Sequence, residues 1–192
     1  MNLYLIRHGE SYNNILPVEQ RMYDPPLTKN GVFQVKRLAK YFSRIPKHHD
    51  ENDLVNNNGY RITHLYVSPM IRALETAQFL SNTLNVPIEI NINLHERGGL
   101  YLSNSTQHFG GLSKNEIERD FPNFIIPPSI TEKGWWRGGF EDFDAFSIRA
   151  SGVANFFLDL SKCSIENDYG IGVITHSGLI DALLKRLLNQ QI

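Results

Sequence analysis

Arg7, His8, Arg72, Glu96 and His176 are residue types that hold an anion and move a proton, and they stand just after apolar runs of strand length or at the start of a helix that follows one. Two arginines and two histidines brought to one point surround an anion with charge-assisted donors. Arginine offers planar, paired N–H groups that match phosphate oxygens. A carboxylic acid beside them completes what phosphoryl transfer needs: a nucleophile, stabilised charge and a proton donor. Taken alone, Arg7-His8-Gly9 is equally well a satisfied structural turn. Recurrence at successive strand ends makes these residues a candidate site.

The elements that must position them follow from apolar spacing. Leu3 to Ile6 is a short apolar run of buried-strand type, ending in Arg7-His8-Gly9-Glu10-Ser11. Pro25 and Pro26 precede Leu27-Thr28, with Thr28 an expected N-cap. Val32, Val35, Leu38, Ala39 and Phe42 then predict an amphipathic helix over 29–43. The polar stretch 46–60, with Asn56-Asn57-Asn58-Gly59, is expected as an exposed loop. Ile62 to Val67 is a second strand, and Ile71, Leu74, Ala77, Phe79 and Leu80 mark the helix after it.

Ile88, Ile90, Ile92 and Leu94 alternate with polar residues, which predicts a third strand within 86–94. The segment 97–140 is rich in Gly, Pro, Ser and aromatics, with a short helix expected over 113–121 and ended by Pro122. It is either a surface excursion or a cap over a site, since long loops in compact domains often carry function. Trp135 and Trp136 are expected to pack it onto the core. Phe143, Phe146, Ala150, Val153 and Phe157 predict a helix over 141–161; Ile171 to Thr175 predict a fourth strand, with a last helix over 179–189.

Strands alternating with helices predict a three-layer α/β/α sandwich with a mainly parallel central sheet, one domain over 1–192. Parallel sheets bind ligands at the carboxyl ends of their strands, where the candidate residues fall. Hydrophobic residues make up 41% and charged residues 20%, ordinary for a globular domain. The net charge of −1 gives no sign of nucleic acid or an anionic membrane as partner. The one cysteine, Cys163, excludes an intrachain disulfide and fits a reducing compartment. Arg7 and His8 interrupt the first apolar run too early for a signal peptide, and no segment has the roughly 20 apolar residues of a bilayer span. A cytoplasmic protein is expected. Its oligomeric state stays open.

The sequence resembles the histidine phosphatase superfamily, also called the phosphoglycerate mutase-like proteins. The resemblance rests on Leu5-Ile6-Arg7-His8-Gly9-Glu10-Ser11 with Asn14, on Asp24-Pro25-Pro26-Leu27-Thr28-Lys29-Asn30-Gly31, and on Ser68-Pro69-Met70-Ile71-Arg72-Ala73-Leu74-Glu75-Thr76-Ala77. It continues through His95-Glu96-Arg97-Gly98-Gly99 and Thr175-His176-Ser177-Gly178, in the family's order. The resemblance implies that His8 attacks phosphorus to form a phosphohistidine, while Arg7, Arg72 and His176 hold the phosphoryl oxygens, with Asn14 a further donor. Glu96 would protonate the leaving oxygen and then help water attack the phosphoenzyme. Transfer of a group with spread negative charge depends mainly on position and electrostatics. No cofactor is implied, and no metal-ligand spacing is evident.

Three departures stand out. Ser177 precedes Gly178 where many relatives have Gly directly after the second histidine; its amide and hydroxyl can still donate to phosphate. Arg21 falls where many relatives carry Gly, as a surface residue or a substrate-contacting cation. Relatives continue past the last helix, so a short or truncated tail is expected here. The leading expectation is a metal-independent, acid-type phosphatase, a phosphomonoesterase acting on a small-molecule phosphate ester. A phosphoglycerate-type mutase using the same phosphohistidine is the alternative, which needs water kept out while the intermediate reorients. A catalytically weak phosphate-ligand binder is the third. His48, His49, His64, His95 and His108 receive no role.

Overall fold

The computed structural model describes residues 1–43, 60–102, 109–163 and 169–188. The elements run β1 Asn2–Arg7, α1 Tyr12–Ile15, a 3-10 turn Val18–Gln20, α2 Lys29–Phe42, β2 Ile62–Val67, α3 Ile71–Leu84 and β3 Ile88–Ile90. A second 3-10 turn, Ile92–Leu94, leads to α4 Lys114–Asp120, β4 Phe124–Ile125, α5 Phe143–Cys163, β5 Gly170–Thr175 and α6 Ser177–Leu187. The strands form one sheet in the order β1-β5-β2-β3-β4. Every pairing in it is parallel. The interior strand β5 is buried along its whole length, as a parallel sheet covered on both faces requires.

Strand alternation divides the core in two. Ile174 joins Ile6, Val67, Leu74 and Leu80 on the face covered by α2 and α3. Val173 and Ile171 join Phe146, Phe157, Leu179 and Leu183 on the face covered by α5 and α6. The result is the three-layer α/β/α sandwich read from the sequence. Thr28 caps α2 by accepting the Gly31 N–H at 3.0 Å. Asp24 Oδ1 accepts the first N–H of α3, from Ile71, at 3.1 Å, satisfying a donor that a helix start leaves open.

Two differences from expectation concern the middle of the chain. The third strand is only Ile88–Ile90, because the Asn91 side chain accepts the Asn93 N–H at 3.0 Å and turns the chain into a 3-10 helix. Leu94 is buried all the same, so alternating apolar residues served two kinds of backbone. The segment 97–140 supplies the fifth strand, β4, as well as buried Leu100, Ile117, Phe121, Phe124, Ile130 and Trp135. Trp135 and Trp136 do pack it onto the core. The last helix begins at Ser177, which makes His176 its N-cap. The 46–60 loop, except Tyr60, and His48, His49 and His108 lie outside the described residues.

Candidate active site

The carboxyl ends of β1 and β5 lie side by side, Arg7 paired with Thr175, and this pairing brings the next residues, His8 and His176, together. The His8 N–H donates to the Thr175 carbonyl at 3.0 Å, extending the register by one step beyond the strand. The two imidazole rings stand 5.0 Å apart between centroids. Helix α3 contributes Arg72 from its second position, and the Arg72 Nε–H donates to His8 Nε2 at 3.1 Å. His8, Arg72 and His176 are all buried, while Arg7 is exposed at the mouth.

The turn after His8 is close-packed. Gly9 donates its N–H to Thr76 Oγ1 at 3.2 Å, and a Cβ on Gly9 would stand 2.8 Å from both the Gly31 carbonyl oxygen and Val35 Cγ2. Gly31 in turn faces the Glu10 carbonyl so closely that only hydrogen fits between them. These two glycines let α2 abut the turn that carries His8. Glu10 locks the contact from the other side, accepting from the Thr28 hydroxyl at 2.6 Å and from Asn30 Nδ2 at 3.1 Å.

His8 has its tautomer set by this geometry. Nδ1 lies 2.6 Å from the Gly9 carbonyl, an acceptor only, so the ring proton sits on Nδ1 and Nε2 carries the lone pair that accepts the Arg72 N–H. Burial, reinforced by the positive charge of Arg72 and then Arg7, lowers the His8 pKa to about 3 against the pull of the Gly9 carbonyl. The ring is therefore neutral at ordinary pH. Burial and the Arg72 charge likewise hold His176 well below the usual histidine range. His176 Nε2 is 2.8 Å from Ser68 Oγ, and its Nδ1 is buried without a protein partner.

Asp24 lies behind Arg72, with Oδ1 3.6 Å from Nη1 and no exposed side-chain surface. Burial pushes its carboxyl up to about 7, against the pull of Arg72. Asp24 was legible only as part of a motif, and Ser68 and Thr76 likewise. Nothing in residue type alone marks them as partners of the site.

A cavity of about 310 Å³ opens on His8 and is lined by Arg7, His8, Glu10, Asn14 and Gln34. Asn14 is partly committed: its Oδ1 accepts from the Ser11 N–H at 2.8 Å. Glu96 lines a neighbouring cavity of about 560 Å³, with Arg97, Phe143, Ser177, Gly178 and Lys185 among its walls. Its carboxylate accepts the Arg97 N–H at 2.9 Å and the Gly178 N–H, at the start of α6, at 3.3 Å. Burial lowers the Arg72 pKa, against the pull of Asp24 and then of Glu96, whose carboxylate reaches it across the site. Thus Arg7, His8, Arg72 and His176 gather directly, Ser177 and Glu96 stand beside them, and Arg21 is exposed and lines neither cavity. His64 sits 3.7 Å from Glu89, away from the cluster on β2. His95 is buried beside Glu141.

Among the described residues, no three His, Cys, Asp or Glu side chains are grouped to hold a metal ion. No described helix is long and apolar enough to cross a membrane.

Known proteins are similar to this chain in sequence and in fold. The chain is 29% identical over 138 residues to a 2,3-bisphosphoglycerate-dependent phosphoglycerate mutase 2 of Lactobacillus johnsonii, a match that takes in 68% of this chain and 54% of the mutase. The match therefore spans about half of that relative's length. It is 27% identical over 188 residues to the adenosylcobalamin/alpha-ribazole phosphatase of Escherichia coli, covering 98% of this chain and 79% of that protein. In fold it resembles a mycobacterial glucosyl-3-phosphoglycerate phosphatase solved with VO3, with a TM-score of 0.60 at 20% identity over 99% of this chain and 81% of that one. The model of the histidine phosphatase superfamily, branch 1, matches residues 3–192. With its two histidines and Arg72 gathered at the ends of a parallel sheet, this chain belongs to the histidine phosphatase superfamily.

Proposed function

We propose that the chain is a phosphomonoesterase that hydrolyses small phosphate esters through a phosphohistidine on His8. The observation that carries this reading is the state of His8: neutral, protonated on Nδ1 by its contact with the Gly9 carbonyl, and with an Nε2 lone pair that accepts the Arg72 N–H. A nucleophile of this kind needs no base to deprotonate it.

In the first step Nε2 forms a bond to phosphorus as the ester P–O bond breaks, and the leaving oxygen takes a proton from the Glu96 carboxyl. Arg72 passes from the His8 lone pair to the phosphoryl oxygens, joined by Arg7 and by His176 through its free Nδ1. The Gly9 carbonyl stabilises the charge that spreads over the phosphorylated ring. In the second step the Glu96 carboxylate accepts a proton from water as the water oxygen bonds phosphorus. The P–N bond breaks, phosphate leaves, and His8 and Glu96 return to their starting states. Asn14 and Ser177 stand as further donors at the two cavities, and Arg21 as an outer cation for substrate approach. No metal enters, since the arginines supply the positive charge.

The test is a phosphatase assay with chelator present, comparing wild type and His8→Ala over a panel of phosphate esters. Turnover and phosphoenzyme both vanish in His8→Ala if the reading holds; turnover retained by that variant sinks it. A mutase is the second reading, favoured by the match to the Lactobacillus johnsonii protein. Phosphoglycerate isomerised faster than it is hydrolysed, in the presence of bisphosphoglycerate, would put the mutase first.

A further inference from the structure

Arg149 and Glu141 form an ion pair that grips the backbone on both sides of Glu96, and we infer that this pair positions the Glu96 carboxyl for proton transfer. The inference rests on the reading of Glu96 as proton donor. Arg149 stands in the second turn of α5, on the side of the sheet that carries α6. Its Nε and Nη2 donate to the two Glu141 oxygens at 2.7 and 2.6 Å, a bidentate pair with both side chains 9% exposed. Such fork-to-carboxylate geometry is specific as well as strong.

The remaining Arg149 nitrogen, Nη1, reaches into the loop that carries Glu96. It donates to the Asn93 carbonyl at 2.6 Å and to the His95 carbonyl at 3.0 Å. Glu141 holds the other side, where its Oε2 accepts the Gly98 N–H at 3.4 Å and its own N–H donates to the Gly98 carbonyl at 3.3 Å. The backbone is thus fixed one residue before Glu96 and two residues after it. Burial alone would raise the Glu141 carboxyl, but the hydrogen bonds and charge of Arg149, with the His95 ring nearby, bring it down to about 2, so the pair stays ionised.

The same turn is tied to the segment that ends in the two tryptophans. The His95 ring lies 5.6 Å from the Trp135 ring and 5.0 Å from that of Trp136, and His95 Nε2 is 3.6 Å from Glu141 Oε1. A buried ion pair is a poor stabiliser, because desolvation offsets most of its attraction. A pair whose spare donors and acceptors all go to one turn is better explained by the precision it gives that turn. Among the described residues the Glu96 carboxylate accepts hydrogen bonds from two backbone amides and from no side chain, so its position follows the backbone that carries it.

Arg149→Lys and Arg149→Met separate positioning from bulk stability when assayed on an alkyl phosphate and on p-nitrophenyl phosphate. The alkyl ester needs its leaving oxygen protonated and the aryl ester hardly does. A general acid contributes about 10²–10⁴-fold, and a misplacement of about 1 Å forfeits about 10²-fold. Expected is a drop of about tenfold to 10²-fold in the single-turnover rate of His8 phosphorylation by the alkyl ester, with the rate from the aryl ester within about threefold. That step is read because the later attack of water is common to both esters. Equal losses on both esters, or no loss on either, overturn the inference. Removing one partner of a buried pair is strongly destabilising; if the methionine variant does not fold, the lysine variant, which keeps the charge and loses the fork, decides. Glu96→Gln is assayed alongside. A Glu96→Gln loss that falls far harder on the alkyl ester, without a matching loss in the Arg149 variants, refutes the positioning role alone. An equal Glu96→Gln loss on both esters refutes the proton-donor reading itself.

Discussion

Gly178→Ala separates the position of Glu96 from the stability of the fold. A Cβ at residue 178 would lie 2.5 Å from Glu96 Oε1, and the atom it meets is the free end of a side chain rather than backbone. The carboxylate must retreat by about 0.9 Å to restore an ordinary contact of 3.4 Å. Gly178 sits in the first turn of α6 without a positive φ, so alanine brings no backbone strain and its helix propensity favours the fold by up to about 1 kcal/mol. Two consequences point in opposite directions. Thermal stability by calorimetry stays level or rises by a few degrees. Alkyl phosphate turnover falls about 10²-fold, the cost of moving a catalytic group by about 1 Å. Undiminished alkyl ester turnover in a well-folded Gly178→Ala protein would refute the proton-donor assignment, because the carboxylate cannot keep its place beside that methyl group.

Two further outcomes follow from buried groups. Asp24 has its folded pKa raised to about 7 from 3.8, so its contribution to stability is complete below about pH 4 and is lost as pH rises through about 7. The unfolding free energy of wild type relative to Asp24→Asn, from urea titrations, therefore declines over that window; a rise would show that the Arg72 charge outweighs burial. Ser68→Ala leaves His176 Nε2 without its partner in a fully buried position and costs about 1–3 kcal/mol in the same titration, whereas no change would mean that the 2.8 Å contact contributes nothing.

The sequence carried the sheet and the cluster because both rest on strong local signals. Apolar runs of strand length end abruptly at Arg7-His8 and at His176; in a parallel sheet both ends fall on the same edge, and the pairing of β1 with β5 sets them side by side. What it did not carry was anything set by distance across the fold. Arg149 and Glu141 are eight residues apart, and nothing in that spacing shows that they close on Asn93, His95 and Gly98. The two-residue strand β4 has no period to detect, and Ile92 and Leu94 kept a strand's alternation while Asn91 bent the chain into a turn. Asp24 stood in a recognisable motif, yet its burial behind Arg72 follows only once α3 is docked against the loop before α2.

The order β1-β5-β2 also fixes when the site comes into being. Among the described elements β1 comes first along the chain, yet within the sheet its neighbour is β5, which follows more than 160 residues later. A chain still growing toward residue 170 carries His8 on a strand with no pairing partner, and it lacks His176 altogether. Pairing over so long a separation must also close a large loop, which makes it a late and slow event in folding. His8 is therefore synthesised long before its cluster with His176 can close, and a nascent or prematurely ended chain holds no such cluster.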